Sequence, residues 1–477
     1  MSAPTFDPTG STDRNRLRGQ RATVMGLGTR AGGVGVARYL ANAGAIVTVS
    51  DAKPADALAG PMADLAGLPI TFNVGGHDER DFTAADLVVR NPGVRRDNPL
   101  LDLARRHGAR IEMELSLFLR ACQAPVIGIT GTKGKTTVAT LTGELLRRWD
   151  PRTIVAGNMG ISALALLDSI TPDTPVVLEI SSWQLESAIE HGLSPHIGVI
   201  TTIAEDHLNT YRDFDDYADT KRGLVIHQTA NDFAVLNRDD PEIWRAAALS
   251  SGSVAPFGAA RGGGQDGAWF EGDALVWRWR GEEWSIPRPD NPALAGAHQT
   301  GNILAALAAA SLRGATREAI IEGLAGFAGI KDRMEPVATA GGVRFINDTT
   351  ATAPIAAAAA IRAIPGVRIH LLAGGADKGL DPSPLADAME PRVSVYLFDG
   401  TGTPHLAAAL ADRGVVPVGV YGSMSAILEA ARANAEPGDV ILLSPGCASF
   451  GIFRDEFDRG EQFREMARAF AAMETGQ

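Results

Sequence analysis

The residues of this chain that are best suited to chemistry form a glycine-rich loop with two lysines, directly after an apolar segment. The loop reads Gly131-Thr132-Lys133-Gly134-Lys135-Thr136-Thr137 and follows residues 126–130. Glycines let backbone N–H groups converge on a phosphate, while Lys135 adds positive charge and the Thr136 hydroxyl can bind Mg²⁺. The usual spacing GxxxxGK(S/T) needs a glycine at position 129, where this chain has Ile129. The sequence therefore predicts a variant nucleotide-binding loop; the alternative is a tight turn with a surface lysine.

Polar side chains follow two further apolar segments. Glu179 comes after residues 176–178, and His207 lies just beyond residues 197–201. Because the carboxyl ends of parallel strands meet at one edge of a sheet, we expect Glu179 and His207 beside the loop and its metal. Each residue alone fits equally well as a helix-capping acid or a partly buried histidine, so their joint placement carries the prediction. Lys221, on a predicted helix nearby, would by itself be a surface lysine.

A second glycine pattern lies near the N-terminus. Gly26-Leu27-Gly28 with Ala31 fits GxGxx(G/A), and Asp51 ends the next apolar segment. This is the arrangement of a Rossmann-type fingerprint, with an acid placed to meet a ribose. The pattern leaves an NAD-dependent oxidoreductase open, although that function would leave Lys135, Glu179 and His207 without a role.

The elements that must position these residues alternate between short apolar strands and amphipathic helices. Strands are predicted at residues 21–26, 45–50, 86–89, 125–130 and 343–346, and helices at 34–43, 302–312 and 317–326. This alternation predicts α/β domains with parallel sheets. We expect a polar tail (1–20) and three domains in series. They are a Rossmann-like domain (21–122), a central P-loop mononucleotide-binding domain with a small antiparallel sheet at 252–290 (123–330), and a C-terminal Rossmann-like domain (331–477).

Composition excludes several classes of function. The 477 residues include 44 basic and 56 acidic side chains, a net charge of −12, and they lack the basic runs that bind nucleic acid. The two cysteines, Cys122 and Cys447, are too far apart in sequence for a CxxC site, which favours a reducing compartment. The first 20 residues lack an apolar segment, and no apolar run approaches the ~18 residues of a membrane span. We expect a cytoplasmic protein with no membrane or nucleic-acid partner.

Taken together, the motifs resemble those of the Mur ligases, which form amide bonds with ATP. The phosphate loop is followed in the family's order by residues 178–186, Glu205-Asp206-His207, Gly296-Ala297-His298 with Asn302, Asp332-Arg333-Met334-Glu335 and Ile346-Asn347-Asp348. The segments Gly374-Gly375-Ala376-Asp377-Lys378 and 443–459 resemble the glutamate-adding branch. The resemblance extends over the whole chain beyond the polar tail.

The resemblance implies a role for each matching residue. ATP would be bound by the loop residues Gly131, Thr132, Lys133, Gly134, Lys135, Thr136 and Thr137, together with Asn302, Arg333 and Asp348. Magnesium would be bound by Thr136, Glu179, His207 and a carbamylated Lys221, because CO₂ adds to a neutral amine and yields an acid-like ligand. The UDP-sugar would be bound by Gly28, Thr29, Asp51, Lys53, Asn91, Pro92, Gly93, Asn158 and Ser181. Glutamate would be bound by Thr352, Lys378, Ser449 and Phe450. The catalytic residues would be Lys135, His207, Lys221 and Arg333.

The implied reaction joins glutamate to the alanyl carboxylate of UDP-N-acetylmuramoyl-L-alanine through an acyl phosphate, for peptidoglycan precursors. Lys378, Thr352 and Ser449 favour D-glutamate, whereas Thr350 and Glu456 depart from the branch's pattern and leave L-glutamate open. A ligase for a folate-like acid and a non-catalytic nucleotide-gated binding protein are further alternatives. We expect a monomer whose third domain closes on the others, which would shield the acyl phosphate from water.

Overall fold

A computed structural model of the chain describes residues 15–28, 31–205, 210–258, 266–294 and 297–475. The chain divides into two compact units, Met1–Phe327 and Ala328–Gln477. The first unit contains a five-stranded and a nine-stranded sheet, and the second contains a six-stranded sheet. The predicted class, three α/β domains with mainly parallel sheets, is confirmed. Among the described helices, none is both long and apolar enough to cross a membrane.

The N-terminal sheet is parallel throughout and has the strand order β3-β2-β1-β4-β5. Its strands are β1 (Arg21–Met25), β2 (Ile46–Asp51), β3 (Ile70–Val74), β4 (Leu87–Arg90) and β5 (Arg110–Glu112). The helices of this part are α1 (Ala31–Asn42), α2 (Ala59–Ala63), α3 (Glu79–Thr83), α4 (Pro99–Arg106) and α5 (Glu114–Ala121). The carboxyl ends of β1, β2 and β4 therefore place Gly26–Gly28, Asp51 and Asn91 at one edge.

The central sheet has the order β14-β13-β12-β11-β10-β9-β6-β8-β7. Its strands are β6 (Val126–Thr130), β7 (Ile154–Gly157), β8 (Val176–Glu179), β9 (Ile197–Ile200), β10 (Phe233–Asn237), β11 (Ser253–Gly258), β12 (Gly267–Glu271), β13 (Ala274–Trp279) and β14 (Glu282–Pro287). Its helices are α6 (Lys135–Trp149), α7 (Ser182–Glu190), α8 (Phe214–Arg222), α9 (Pro241–Trp244), α10 (Ala297–Arg313) and α11 (Arg317–Gly326).

The antiparallel strands predicted within residues 252–290 are present, and the structure adds where they lie. β13 pairs antiparallel with both β12 and β14, whereas β11 pairs parallel with β10. β12 in turn pairs parallel with β11. The antiparallel strands therefore extend one edge of the central sheet and do not form a sheet of their own.

The C-terminal sheet has the order β15-β16-β20-β17-β18-β19 and is parallel except for β15 with β16. Its strands are β15 (Glu335–Ala340), β16 (Val343–Asn347), β17 (Ile369–Gly374), β18 (Val393–Phe398), β19 (Val420–Tyr421) and β20 (Val440–Leu443). Its helices are α12 (Pro354–Arg362), α13 (Ser383–Ala386), α14 (Thr403–Ala411), α15 (Met424–Ala433) and α16 (Glu456–Thr475).

The core of the central domain explains why the phosphate loop has a rigid base. Every residue of β6 is buried, as expected for a parallel strand with helices on both faces. Residues 303–310 of the alanine-rich α10 are also fully buried. α11 approaches α6 closely, because a Cβ at Gly323 would lie 2.9 Å from the Cα of Leu145. The loop thus connects a buried strand to a buried helix, and neither can shift without opening the core.

Candidate active site

The phosphate loop joins the carboxyl end of β6 to the first turn of α6. Gly134 has a φ of 83° and is the N-cap of α6, a left-handed conformation that glycine adopts without steric cost. A Cβ at Gly131 would lie 2.0 Å from the Oγ1 of Thr201. The amides of Lys135, Thr136 and Thr137 start a helix and have no acceptor within it, so they point toward a ligand position. The loop therefore presents backbone N–H groups and the positive end of a helix dipole to an anion.

Two lysines converge on this loop from different helices. The Nζ of Lys135 donates to the carbonyl oxygen of Gly131 at 2.9 Å and to that of Thr132 at 3.3 Å. The Nζ of Lys221, on α8, donates to the same Gly131 oxygen at 2.9 Å. Lys221 is 2% exposed and lies over the ring of Tyr217 at 4.7 Å. Lys221 is therefore buried and is not the surface lysine that its local sequence alone predicts.

Hydroxyl groups beyond β9 hold the loop in place. The backbone N–H of Lys133 donates to the Oγ1 of Thr202 at 2.7 Å, and the Oγ1 of Thr201 donates to the Lys133 carbonyl at 2.5 Å. The Oγ1 of Thr132 bonds the Ala204 carbonyl at 3.1 Å and lies 3.1 Å from the Tyr217 hydroxyl. These bonds connect the loop to the neighbouring strand and to α8, so its shape does not depend on a ligand.

Glu179 and Asn158 form a polar pair at the carboxyl ends of β7 and β8. The Oε1 of Glu179 accepts from the Nδ2 of Asn158 at 2.9 Å, and the Asn158 N–H donates to the Glu179 carbonyl at 2.9 Å. The carboxylate is buried, and its Oε2 has no hydrogen-bond partner among the described residues. A buried carboxylate oxygen without a donor is costly unless a cation or ligand satisfies it. This oxygen is therefore suited to bind a metal ion or to accept from a hydrogen-bond donor of a ligand.

At the N-terminal sheet, Asp51 organises the glycine fingerprint. Its Oδ2 accepts from the Gly28 N–H at 3.0 Å and its Oδ1 accepts from the Lys53 N–H at 2.9 Å. Asp51 thus brings together three of the residues expected to bind the UDP group, and it does so through backbone amides. Gly28 has a φ of 66°, a left-handed conformation that glycine adopts without steric cost.

The segment Asn91-Pro92-Gly93 lies against that glycine loop. The Oδ1 of Asn91 accepts from the Gly93 N–H at 3.1 Å, and a Cβ at Gly28 would lie 3.4 Å from the Nδ2 of Asn91. A cavity of about 300 Å³ adjoins this segment and is lined by Pro92, Gly93, Trp183 and Tyr211, among others. One wall comes from the end of β4 and the loop after it, and the other from α7 and residues 210–212.

In the C-terminal unit, three of the residues predicted to bind glutamate come from loops at one end of the sheet. The Nζ of Lys378 donates to the Oγ1 of Thr352 at 2.8 Å. Ala376 and Ala448 exchange backbone bonds of 2.9 and 3.1 Å, which join the Lys378 loop to the Ser449 loop. The Ser449 hydroxyl is buried and lacks a hydrogen-bond partner in the described part of the chain. Phe450, next in sequence, is 61% exposed.

Arg333 and Asp348 lie at the start of the same unit, on either side of β15 and β16. The side chain of Arg333 is exposed. Asp348 is buried, and its Oδ1 accepts from the Met334 N–H at 3.1 Å while its Oδ2 accepts from the Ser444 hydroxyl at 2.8 Å. Burial raises the pKa of Asp348 to about 6, against the lowering effect of these bonds and of Arg333.

Comparison with known proteins decides the family. Three family profiles match successive parts of the chain: "Mur ligase MurD-like, N-terminal domain" at residues 20–112, "Mur ligase middle domain" at 129–310, and "Mur ligase, glutamate ligase domain" at 332–447. A UDP-N-acetylmuramoylalanine–D-glutamate ligase from Roseiflexus sp. strain RS-1 is 46% identical, over 95% of this chain and 100% of the relative. The chain belongs to the Mur ligase family.

Other members of the family agree with this assignment. The enzyme of the same name from Symbiobacterium thermophilum is 37% identical, over 95% of this Mur ligase and 98% of the relative. Among solved structures, UDP-N-acetylmuramate–alanine ligase from Thermotoga maritima has a TM-score of 0.58 at 19% identity and covers 94% of this chain and 99% of its own. A D-alanyl-D-alanyl ligase of the family from Acinetobacter baumannii has a TM-score of 0.52 at 17% identity, with 82% and 92% covered. These structures support the fold alone.

Some of the predicted site residues of this Mur ligase lie outside the described residues, and others make contacts that the sequence did not predict. His207 and Thr29 lie outside the described residues. Ser181 is the N-cap of α7, where its Oγ accepts from the Gln184 N–H at 3.3 Å. Asn302 lies beside the loop, because a Cβ at Gly134 would lie 2.5 Å from its Oδ1. No cluster of three His, Cys, Asp or Glu side chains that could hold a metal occurs in the described ranges.

Sequence reasoning did not assign a role to Thr201, Thr202 or Tyr217. The threonines bond the phosphate loop, and Tyr217 connects it to the helix of Lys221. The two threonines could have been recognised from the sequence, because hydroxyl residues at the end of a strand that pairs with β6 must lie next to the loop. For Tyr217 there was no such signal, because an aromatic residue on a helix is ordinarily part of the core.

The family resemblance implies that Asp348 contacts the ATP ribose, so with its raised pKa we expect ATP binding to weaken in acid. As pH falls through about 6, the carboxylate gains a proton and loses capacity to accept a hydrogen bond from a ribose hydroxyl. Because burial raises the pKa of Asp348, folding favours the protonated form of this side chain. The folding stability that it contributes is therefore fully present below pH 3.8, its ordinary pKa, and is lost as the pH rises through about 6. We expect the KM for ATP to increase about tenfold between pH 7 and pH 5.

Steady-state kinetics at a series of pH values would measure this effect. Phosphate groups of ATP also titrate near pH 6, so an Asp348→Asn variant is needed as the reference. The KM of this variant should be higher at pH 7 and should change less with pH than that of the unsubstituted enzyme. Equal pH dependence in both proteins would contradict the role given to Asp348.

Proposed function

We propose that this Mur ligase joins D-glutamate to the alanyl carboxylate of UDP-N-acetylmuramoyl-L-alanine while ATP is converted to ADP and phosphate. The observation that carries the proposal is the phosphate loop on which Lys135 and Lys221 converge at one carbonyl oxygen. The relatives from Roseiflexus and Symbiobacterium support the substrate assignment, because both are named for the D-glutamate reaction. The product would enter peptidoglycan precursor synthesis in the cytoplasm.

The chemistry begins with activation of the carboxylate. An alanyl carboxylate oxygen forms a bond to the γ-phosphorus of ATP, and the bond from that phosphorus to the β,γ-bridging oxygen breaks, which releases ADP. The amine of glutamate then forms a bond to the acyl carbon and loses a proton, and inorganic phosphate leaves. The first step brings two anions together, so stabilisation by cations dominates its barrier. Lys135, the amides of the loop and Arg333 would supply that stabilisation.

The residues present fit a magnesium ion. The buried Oε2 of Glu179, which has no hydrogen-bond partner among the described residues, is a hard oxygen ligand, and the Thr136 hydroxyl lies in the first turn of α6. We propose that these two groups hold the ion, with His207 and a carbamylated Lys221 as further ligands. When bound, magnesium would neutralise charge on the phosphates. The chain's own contribution is to fix the two oxygen ligands through the Asn158 bond and the α6 terminus.

The UDP-sugar would lie across the N-terminal and central sheets. Gly28, Asp51, Lys53 and Asn91-Pro92-Gly93 form one wall at the N-terminal sheet, and we propose that they hold the UDP group. Asn158 would meet the muramoyl-alanine end, because it is hydrogen-bonded to Glu179 near the phosphate loop. Ser181, although it caps α7, would lie on the same side of the sheet. The alanyl carboxylate would thereby be presented to the nucleotide.

The amino acid would be bound in the C-terminal unit. Lys378 can pair with a glutamate carboxylate, and the Oγ1 of Thr352 accepts from the Lys378 ammonium. The buried Ser449 hydroxyl has no hydrogen-bond partner within the described ranges and could bond the ligand. Phe450 would cover the bound glutamate with its exposed ring. We propose that the UDP-sugar, ATP and glutamate are bound by three successive domains, residues 21–122, 123–330 and 331–477. We also propose that the enzyme is a monomer.

A phosphate-release assay tests the proposed function. The purified full-length protein with ATP, Mg²⁺, UDP-N-acetylmuramoyl-L-alanine and D-glutamate should release phosphate, and omission of either acceptor should abolish release. The product should gain the mass of one glutamate residue. L-Glutamate in place of D-glutamate should give less than about a tenth of the rate, since a chiral pocket discriminates at the transition state. A faster rate with L-glutamate would overturn the proposed stereochemistry, and no rate with either would overturn the function.

A further inference from the structure

Arg333 lies between two residues that have an unfavourable backbone conformation. Asp332 has a φ of 65° and Met334 a φ of 44°, in the left-handed region that residues with a Cβ rarely adopt. Among the described residues only one other non-glycine residue, Arg280, has a positive φ. Such conformations persist only where surrounding contacts hold them, and they cluster at functional sites. The contacts that hold this segment are therefore of functional interest.

The strongest of those contacts come from Arg464 on α16. Its Nη2 donates to the Oδ1 of Asp332 at 2.6 Å and to the Oε2 of Glu335 at 3.0 Å, while its Nε donates to the Oε1 of Glu335 at 3.1 Å. The Arg464 side chain is only 4% exposed. A planar guanidinium that meets two carboxylates fixes both in position and orientation. The two acids lie on either side of Arg333.

Arg464 and several further hydrogen bonds form a clamp on this segment, including one from the Nδ2 of Asn347 to the Oδ1 of Asp332 at 2.9 Å. The Oγ1 of Thr350 donates to the Asp332 carbonyl at 2.8 Å, and the Asp332 N–H donates to the Oε2 of Glu335 at 2.8 Å. The Met334 N–H donates to Asp348 at 3.1 Å. The approach of α16 requires Gly460, because a Cβ there would lie 2.4 Å from the Oδ1 of Asp332. None of these bonds involves the guanidinium of Arg333, which stays exposed.

We propose that Arg464 is a positioning residue that holds the segment Asp332–Met334 in its left-handed conformation and so presents Arg333 to the phosphate of the nucleotide. This inference rests on the proposed function, in which Arg333 stabilises the transferred phosphoryl group. Without the clamp, Asp332 and Met334 would relax to negative φ, and the Arg333 peptide would turn away. The loss would fall mainly on the phosphoryl-transfer step, because none of the proposed glutamate-binding residues is a partner of Arg464 in these bonds.

The first test uses Arg464→Lys, which keeps the charge but cannot meet both carboxylates with a planar fork. Arg468→Lys is the matched control, because Arg468 is exposed on the same helix. Hydrogen–deuterium exchange of the unliganded full-length protein should increase at least tenfold in a peptide spanning residues 330–336 for Arg464→Lys, and should not change for Arg468→Lys. Unchanged exchange in both variants would overturn the positioning role.

The second test is a double-mutant cycle on kcat for phosphate release. Arg464→Lys should lower kcat by about tenfold or more in the unsubstituted background, with little change in the KM for glutamate. In an Arg333→Ala background the same substitution should change kcat less than twofold, because it acts through Arg333. An equal loss in both backgrounds would show a general packing role and overturn the proposal. Absence of phosphate release by the unsubstituted protein would instead overturn the proposed function, and the exchange result would still decide whether Arg464 holds the segment.

Discussion

Replacement of Lys135 by alanine is expected to lower the rate of phosphate release by about 10³-fold or more. The carbonyl oxygens of Gly131 and Thr132 accept from the Lys135 ammonium, so this cation is already ordered within the loop proposed to bind phosphate. Charge that builds up on the transferred phosphoryl group would have no cation from the loop to meet it. Quenched-flow or coupled assays of ADP formation would measure the loss.

Two further measurements make the Lys135 result specific. UDP-sugar binding, followed by calorimetry, should change little, because the residues proposed for it belong to other loops, chiefly at the N-terminal sheet. Arg147→Ala removes an exposed cation near the other end of α6 and should keep most of the activity. Turnover by Lys135→Ala within tenfold of the unsubstituted enzyme would contradict the role of this lysine.

The phosphate loop is the part of the site that the sequence predicts best. Its function depends on local features: glycines at positions 131 and 134, and a lysine in the first turn of a helix. Each of these can be recognised within a few consecutive residues. In the structure Gly134 has a φ of 83°, and a Cβ at Gly131 would lie 2.0 Å from the Oγ1 of Thr201, so the turn itself requires glycine at both positions.

The strand and helix positions were also predictable, with errors of a few residues at their ends. The helix predicted at 317–326 begins and ends at those residues in α11, whereas the helix predicted at 302–312 begins at Ala297 in α10. The early start was not evident because Gly296 and His298 have weak helix propensity. The position of the antiparallel strands at the sheet edge depends on pairing between β11 and β12, which sequence periodicity does not reveal.

Long-range contacts account for what the sequence could not predict. Nothing near residues 332–334 indicates a left-handed backbone, because Arg464, which holds it, lies 132 positions further along the chain. Likewise, the burial of Lys221 follows from the packing of α8 against the phosphate loop. Both features required the tertiary structure, since they arise where distant elements meet and not from local propensity.

Replacement of Glu179 by glutamine is the second substitution for which we expect a large effect. Glutamine has nearly the same shape, and its Oε1 can still accept from Asn158, but the buried Oε2 is replaced by an amide that donates and cannot bind a cation. We expect phosphate release to fall by about 10²- to 10³-fold. The Mg²⁺ concentration that gives half-maximal activity should rise at least tenfold, which a titration of the assay with MgCl₂ would measure.

Thermal unfolding without Mg²⁺ gives an independent view of the same oxygen. In the unliganded protein the Oε2 of Glu179 is buried and lacks a hydrogen-bond donor in the part of the chain that is described, so its removal should not lower the melting temperature. Asp232→Asn is the contrasting variant, because both of its oxygens are already bonded, to His196 at 2.7 Å and to the Thr229 N–H at 2.6 Å. That variant should be less stable yet show an unchanged Mg²⁺ requirement. If Glu179→Gln were destabilised like Asp232→Asn and kept its Mg²⁺ dependence, Glu179 would be a structural acid and the metal would have to bind elsewhere.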